Sequence, residues 1–109
     1  MFKPILVQCP APSEEAAEAL SVELLERRLA ASVHIRSVQS RYRWSGVVET
    51  AQEWVLDIKT ANHLFDEVAG CLRSLHPYEP PGIWAVEVCC VTPEYAEWLR
   101  TNTSRGTPL

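Results

Sequence analysis

A short loop between two predicted elements concentrates groups that could bind a ligand. Residues 75–83 have the sequence L-H-P-Y-E-P-P-G-I, in which His76, Tyr78 and Glu79 lie among three prolines. Proline fixes φ and removes an amide donor, so the loop can be neither helix nor central strand, and its polar side chains have little freedom. Rigid short loops often carry function, but prolines also mark the ordinary end of one element and start of the next. Spacing alone favours the second interpretation.

The four cysteines do not form a zinc-binding pattern, because none belongs to a C-x-x-C pair. Cys89 and Cys90 are adjacent in a predicted strand, where successive side chains point to opposite faces. We therefore expect that they cannot easily share a metal ion or a disulfide. For each of the four, including Cys9 and Cys71, the default expectation is a buried residue that acts as a small hydrophobe.

Length and composition indicate one cytosolic domain. The 109 residues suffice for a single domain, residues 1–109, and the hydrophobic fraction of 47% is typical of a globular protein. The sequence has no segment that is long and apolar enough to cross a membrane, and its first residues lack the pattern of a signal peptide, so we expect a cytoplasmic location. The net charge is −4 and the ten basic residues are scattered, which argues against a nucleic-acid partner.

The first half of the chain predicts a strand, a helix and a long hairpin. Residues 5–9 are a short apolar strand, and Ser13 is placed to cap a helix that spans residues 14 to about 30. Two extended runs follow, one from residue 32 to 44 and one that continues through Thr60. The Ser45-Gly46 pair between them is a hairpin signal.

The second half predicts a helix, a buried strand and a short last helix. Thr60 can cap a helix whose apolar residues follow helical spacing, namely Leu64, Phe65, Val68, Leu72 and Leu75. Residues 83–91 are almost continuously apolar, which predicts a strand covered on both faces. Thr92 and Pro93 open the last helix, and residues 101–109 are expected to be a frayed tail.

The order of elements predicts an α+β fold of the ferredoxin-like type. It is β-α-β-β-α-β with an antiparallel sheet, a long β2–β3 hairpin and a short C-terminal helix. The helices of such a fold cover one face of the sheet, so the other face meets water or a partner. The hairpin also carries Tyr42, Trp44 and Trp54. We therefore expect a homo-oligomer that buries the bare face or the hairpin edges.

The directions of the elements bring several polar residues to one end of the sheet. Cys9, the hairpin tip, His76, Tyr78 and Glu79 should share that end, and His34 should lie at the other. A thiolate with an imidazole suits copper or zinc, but two ligands are too few, so Glu79, water or a neighbouring subunit would complete the site.

The competing interpretation of Cys9 and His76 is purely structural. It makes Cys9 a core residue and His76 a group at a helix C-terminus, and the residues alone favour it. Nucleophilic catalysis by Cys9 would need a base and an oxyanion hole, and the prolines at 10 and 12 remove amide donors there. We therefore do not expect an enzyme.

Five short motifs together resemble the CutA family of divalent-cation tolerance proteins. In chain order they are E-R-R-L-A-A at 26–31, Y-R-W-S-G at 42–46, I-K-T at 58–60, L-H-P-Y-E at 75–79 with Pro81 and Ile83, and Y-A-E-W-L at 95–99. The resemblance spans almost the whole chain. It implies a ferredoxin-like fold, a homotrimer with an architecture similar to PII signalling proteins, and a cytosolic role in tolerance of divalent metals, copper above all.

The resemblance also implies site residues. The family's copper ligands are a cysteine at the end of strand one and a histidine before the P-Y pair, which correspond to Cys9 and His76. Leu75 stands where a copper-binding member has a second histidine, and Ser32 and His34 stand where many members have cysteine and asparagine. Glu79 and Tyr78 are further candidates for the metal site or for a cleft. The alternative function is a PII-like module that binds a small ligand or a protein partner in clefts lined by the hairpin and the loop 77–81.

Overall fold

An antiparallel sheet with the first two helices packed on one face forms the body of the chain, as a computed structural model of residues 2–103 shows. The elements are β1 (Pro4–Ala11), α1 (Glu14–Glu26), β2 (Ser32–Trp44), β3 (Val47–Ala61), a 3-10 turn (Asn62–Leu64), α2 (Phe65–Leu75), β4 (Trp84–Glu87) and α3 (Pro93–Asn102). The strand order is β2-β3-β1-β4, with antiparallel neighbours throughout. The predicted ferredoxin-like α+β fold, its long hairpin and its short last helix are confirmed.

The core lies between the sheet and the first two helices. Alternate residues of β1 are buried, because successive side chains of a strand point to opposite faces. They meet Leu56 and Ile58 of β3, which are fully buried. The helices contribute Leu20 and Leu24 of α1 and Val68 and Leu72 of α2. The predicted apolar stripe of α2 is therefore the face that packs, except that Leu75, at its end, is exposed.

Helix α1 ends earlier than predicted. The Ser13 side chain caps its start by accepting from the Ala16 amide at 3.0 Å, as expected. Its last helical residue is Glu26 rather than a residue near 30, so the predicted boundary is wrong. The amides of Arg28 and Leu29 donate to the carbonyls of Leu25 and Leu24, and Arg28 has a φ of 57°. This is a Schellman ending in which arginine occupies the left-handed position that glycine usually takes.

The start of the second helical segment also differs from the prediction. Thr60 does not cap it, because Thr60 is still part of β3, which continues to Ala61 opposite Pro4. The Thr60 hydroxyl is buried and donates to the Leu29 carbonyl at 2.6 Å. The chain therefore enters α2 through the 3-10 turn, without a side-chain cap.

The last strand is shorter and more exposed than predicted. β4 contains four residues, all of them exposed in this chain, rather than a covered strand over 83–91. It pairs with β1 from Trp84, opposite Gln8, to Glu87, opposite Ile5, and one further hydrogen bond runs from the Val88 amide to the Pro4 carbonyl at 3.4 Å. Cys89 and Cys90 are consequently exposed, whereas Cys9 and Cys71 are buried as expected.

The C-terminal segment is partly helical. Helix α3 continues through Asn102, and Thr103 is buried, with its hydroxyl donating to the Leu99 carbonyl at 2.8 Å. Residues 101–103 are therefore not frayed. The rest of the expected tail, 104–109, lies outside the described residues. Within residues 2–103, none of the helices has the length and apolar character needed to span a membrane.

A chain of hydrogen bonds crosses all four strands on the face opposite α1 and α2, which we call the open face. Arg36 Nε pairs with Asp57 Oδ2 at 2.7 Å, and Gln8 Nε2 donates to Asp57 Oδ1 at 2.8 Å. Trp84 Nε1 donates to Gln8 Oε1 at 2.9 Å. Burial opposes ionisation of Asp57, but the bonds from Arg36 and Gln8 outweigh it and hold the pKa of the carboxyl below its ordinary value. These bonds tie the edge strands to the centre of the sheet.

Candidate functional site

The proline-rich loop folds back onto the end of β1 through His76. The ring nitrogen Nε2 lies 2.7 Å from the Pro10 carbonyl oxygen, and Nδ1 lies 3.0 Å from the Tyr78 amide nitrogen. A carbonyl only accepts and an amide N–H only donates, so Nε2 carries the proton and Nδ1 accepts. His76 is thus a buried, neutral imidazole with both nitrogens engaged.

Cys9 lies at the same carbonyl oxygen. Its Sγ is 3.8 Å from Pro10 O, and the residue is fully buried on the helix face of the sheet. Burial, with a smaller contribution from the negative charge of Glu53, raises the pKa of the Cys9 thiol to about 12. The thiol is therefore protonated at neutral pH. Because His76 accepts from Tyr78 and not from Cys9, the geometry gives no support to a nucleophilic role for this thiol.

The structure brings together some of the predicted site residues and separates others. Cys9 and His76 meet at the Pro10 carbonyl, whereas His34 lies opposite Asp57, on the open face. Glu79 is exposed. In the described part of the chain, no group of three or more His, Cys, Asp or Glu side chains is arranged to hold a metal ion.

A buried carboxylate that the sequence does not reveal holds the loop at a second point. Glu53 of β3 is buried, and it accepts hydrogen bonds from Ser40 Oγ at 2.6 Å and from Tyr78 Oη at 2.7 Å. Burial, the hydrogen bond and the charge of Glu53 all raise the pKa of Tyr78, so its phenol remains a donor. Glu49, on the same strand, is exposed. Sequence patterning does not distinguish the two glutamates, because the burial of Glu53 depends on Tyr78, which is distant in sequence.

A cleft of about 790 Å³ lies between the hairpin and the loop. Its walls are largely aromatic and proline side chains, and its charged groups are two carboxylates and one guanidinium. The lining includes Arg41, Tyr42, Trp44, Glu53, Tyr78, Glu79 and Trp84. Apolar walls with a few polar groups are typical of small-molecule sites. The predicted hairpin residue Trp54 lies elsewhere, half-buried against the core.

The comparisons with known proteins agree with one another. The family model described as CutA1 divalent ion tolerance protein matches residues 5–102. A divalent-cation tolerance protein CutA from Thermus thermophilus is 43% identical over 93 residues, which are 84% of this chain and 90% of that protein. One from Thermotoga maritima is 40% identical over 98 residues, 90% of this chain and 97% of that protein.

Solved structures show the same fold. The structure described as the periplasmic divalent cation tolerance protein CutA from Archaeoglobus fulgidus has a TM-score of 0.91 at 32% identity, and the alignment covers 93% of this chain and 99% of that one. CutA from Xylella fastidiosa has a TM-score of 0.90 at 37% identity, with 94% and 99% covered.

Removal of the Tyr78 hydroxyl should destabilise the protein through Glu53. In Tyr78→Phe the buried carboxylate keeps, among residues 2–103, only the Ser40 hydroxyl as a partner, and a buried acceptor that loses a partner costs about 1–3 kcal/mol. We expect a loss of that size in the free energy of unfolding, measured by chemical denaturation at fixed protein concentration. Tyr95→Phe, which removes a hydroxyl from an exposed residue of α3, is the matched control. Equal effects in the two variants would contradict the role of the Tyr78–Glu53 bond.

Proposed function

This chain belongs to the CutA1 divalent ion tolerance protein family, and from that membership we propose that it binds a divalent metal ion in a metal-tolerance or metal-response role. Family membership supports the metal-tolerance role itself. Copper is the first candidate ion and zinc the second, because a thiol and an imidazole suit soft-to-borderline metals. The observation that carries the proposal is the meeting of Cys9 Sγ and His76 Nε2 at one carbonyl oxygen, Pro10 O.

The donor types fit such an ion, but their present hydrogen bonds compete with it. His76 would have to give up its bond to Pro10 O, and Cys9 would have to lose its proton. Leu75, beside His76, offers no ligand atom. The remaining positions would be filled by Glu79, by water or by a neighbouring subunit.

We further propose that the protein is a cytosolic homotrimer. The support is the apolar character of the open face around β4, where Trp84 and Val86 are 46% and 50% exposed in the single chain. Tyr42 and Trp44 of the hairpin are exposed as well. Contiguous apolar surface of this kind is typical of subunit interfaces. Association through the open face would also cover the cleft from one side.

Metal binding should depend on Cys9 and His76 and should strengthen as the pH rises. Titration calorimetry with Zn²⁺ and Cu²⁺, in a background with Cys89 and Cys90 replaced by serine, should show affinity reduced at least about tenfold in both Cys9→Ala and His76→Gln, a loss of ~1.4 kcal/mol or more. Binding through the Cys9 thiolate releases a proton, and pH 6 to 8 lies below the thiol pKa of about 12. The affinity should therefore rise about tenfold per pH unit over that range.

The control for this experiment is Cys71→Ala, which removes a buried thiol that lies in α2, outside the site. Its affinity should equal that of the parent. Unchanged affinity in both Cys9→Ala and His76→Gln would exclude these two residues as ligands.

If the protein is a trimer that associates through its open face, a charge introduced on that face should dissociate it. Sedimentation at micromolar concentration should give three times the chain mass of 12.3 kDa. Val86→Glu places a carboxylate on the open face, and we expect it to shift the protein towards a single-chain mass. Val22→Glu adds the same charge to an exposed position of α1 and should leave the mass unchanged. A wild-type protein of single-chain mass would refute the trimer.

A second candidate function is a PII-like module that binds a small ligand or a protein partner in the cleft. The cleft volume of about 790 Å³ and its aromatic walls favour it. A ligand that binds the native state raises the melting temperature. In a metabolite panel we expect a shift that Trp44→Ala abolishes and Cys9→Ala retains, whereas a panel without any shift would count against a small-molecule ligand.

A further inference from the structure

Two adjacent cysteines lie together on the surface after β4. The Sγ atoms of Cys89 and Cys90 are 3.6 Å apart, and both residues are exposed. The expectation that they point to opposite faces and cannot share an ion is wrong, because it assumed a strand through residue 91. β4 ends at Glu87, so the alternation of a pleated strand does not apply to the pair.

We propose that Cys89 and Cys90 form a chelating dithiol site for a trivalent arsenical, separate from the site at Cys9. The proposal does not depend on the proposed function, because it involves different thiols. Cys9 and Cys71 are buried, and burial raises the pKa of both. Cys89 and Cys90 are thus the thiols that a reagent in solution meets first.

The distance between the sulfurs selects the geometry of the bound centre. With bonds of about 2.3 Å from each sulfur, a separation of 3.6 Å corresponds to an angle at the centre of about 100°. A linear two-coordinate ion would need the sulfurs about 4.6 Å apart on the same bond length. The pair therefore fits a centre with bent coordination and does not fit a linear one without rearrangement.

The number of available ligands narrows the chemistry further. Tetrahedral zinc takes four ligands, yet among residues 2–103 no third His, Cys, Asp or Glu joins the two thiols. A monosubstituted trivalent arsenic centre is pyramidal, and its own organic group fills the third position, so two thiolates complete it. Soft thiolates also prefer soft centres.

The reaction balances without an oxidant. Phenylarsine oxide and the two thiols form two As–S bonds and break the arsenic–oxygen bond. The oxygen leaves as one water with the two thiol protons, and arsenic remains trivalent. Because the chelate closes within two neighbouring residues, the second As–S bond forms at a high effective concentration.

The test is a titration of the reduced full-length protein with phenylarsine oxide. We expect one arsenic per chain by intact mass and the protection of two thiols from a thiol reagent, with both effects reversed by an excess of a small dithiol. Cys89→Ser and Cys90→Ser should each weaken binding about 100-fold or more, since either variant leaves a single As–S bond. Cys71→Ala and Cys9→Ala should bind as the wild type does.

Three results would overturn the proposal. One is a wild-type protein that takes up no arsenical, as it would if its assembly covered the pair. Another is wild-type affinity in either single serine variant. The third is effective competition by Zn²⁺ at equal concentration, which would reject the assignment to trivalent arsenic. Loss of metal binding in Cys9→Ala with arsenical binding retained would separate this site from the one in the proposed function.

Discussion

The antiparallel ladder between β1 and β3 is the constraint on which the rest of the structure depends. It pairs eight consecutive residues of each strand, from Pro4 with Ala61 to Ala11 with Trp54. Since strand side chains alternate, this single register sends Cys9 and Leu56 to the helix face and Gln8 and Asp57 to the open face. A shift of the register by one residue would turn the apolar side chains out to the open face and the hydrogen-bonded polar side chains in to the core. Both the core and the candidate site are consequences of this pairing.

The loop after α2 is held to that ladder at two points. His76 donates to Pro10 at the end of β1, and Tyr78 donates to Glu53 of β3. Neighbouring residues of a proline-rich segment thus bond to neighbouring strands, which fixes the path from α2 into β4. The His76 and Tyr78 rings also lie 4.9 Å apart, so the two contacts support each other. The His76 and Tyr78 side chains that fix the path of the loop are therefore the same side chains that were proposed to bind a metal ion or line the cleft.

The features that the sequence predicts correctly are those encoded by local periodicity and by topology. The β2 bounds, the hairpin and the gathering of Cys9 and His76 at one end follow from alternation, turn residues and the direction of each element. The early end of α1 could not be predicted, because Arg28 replaces the usual glycine and its guanidinium donates to the distant Thr101 carbonyl at 2.6 Å. The burial of Glu53 likewise depends on a residue from another element. The apolar run after residue 83 has the composition of a covered strand, yet β4 is exposed in this chain, so composition alone does not determine its burial.

The two candidate functions are physically connected through one series of contacts. Cys9 and His76 meet at Pro10, His76 accepts from the Tyr78 amide, and the Tyr78 phenol donates to Glu53 in the cleft wall. A metal ion that took the His76 ring would remove the bond that anchors the start of the loop. Coordination through Nε2 would also move the ring proton to Nδ1, which could then no longer accept from the Tyr78 amide. Tyr78 would keep its bond to Glu53 but lose the one to His76, and the cleft lining would change with it. Coupling between two sites is reciprocal, so a ligand that packed against Tyr78 would in turn change the affinity of His76 for the metal ion. The two proposals therefore involve one series of contacts, because the atoms that could hold the metal also position the wall of the cleft.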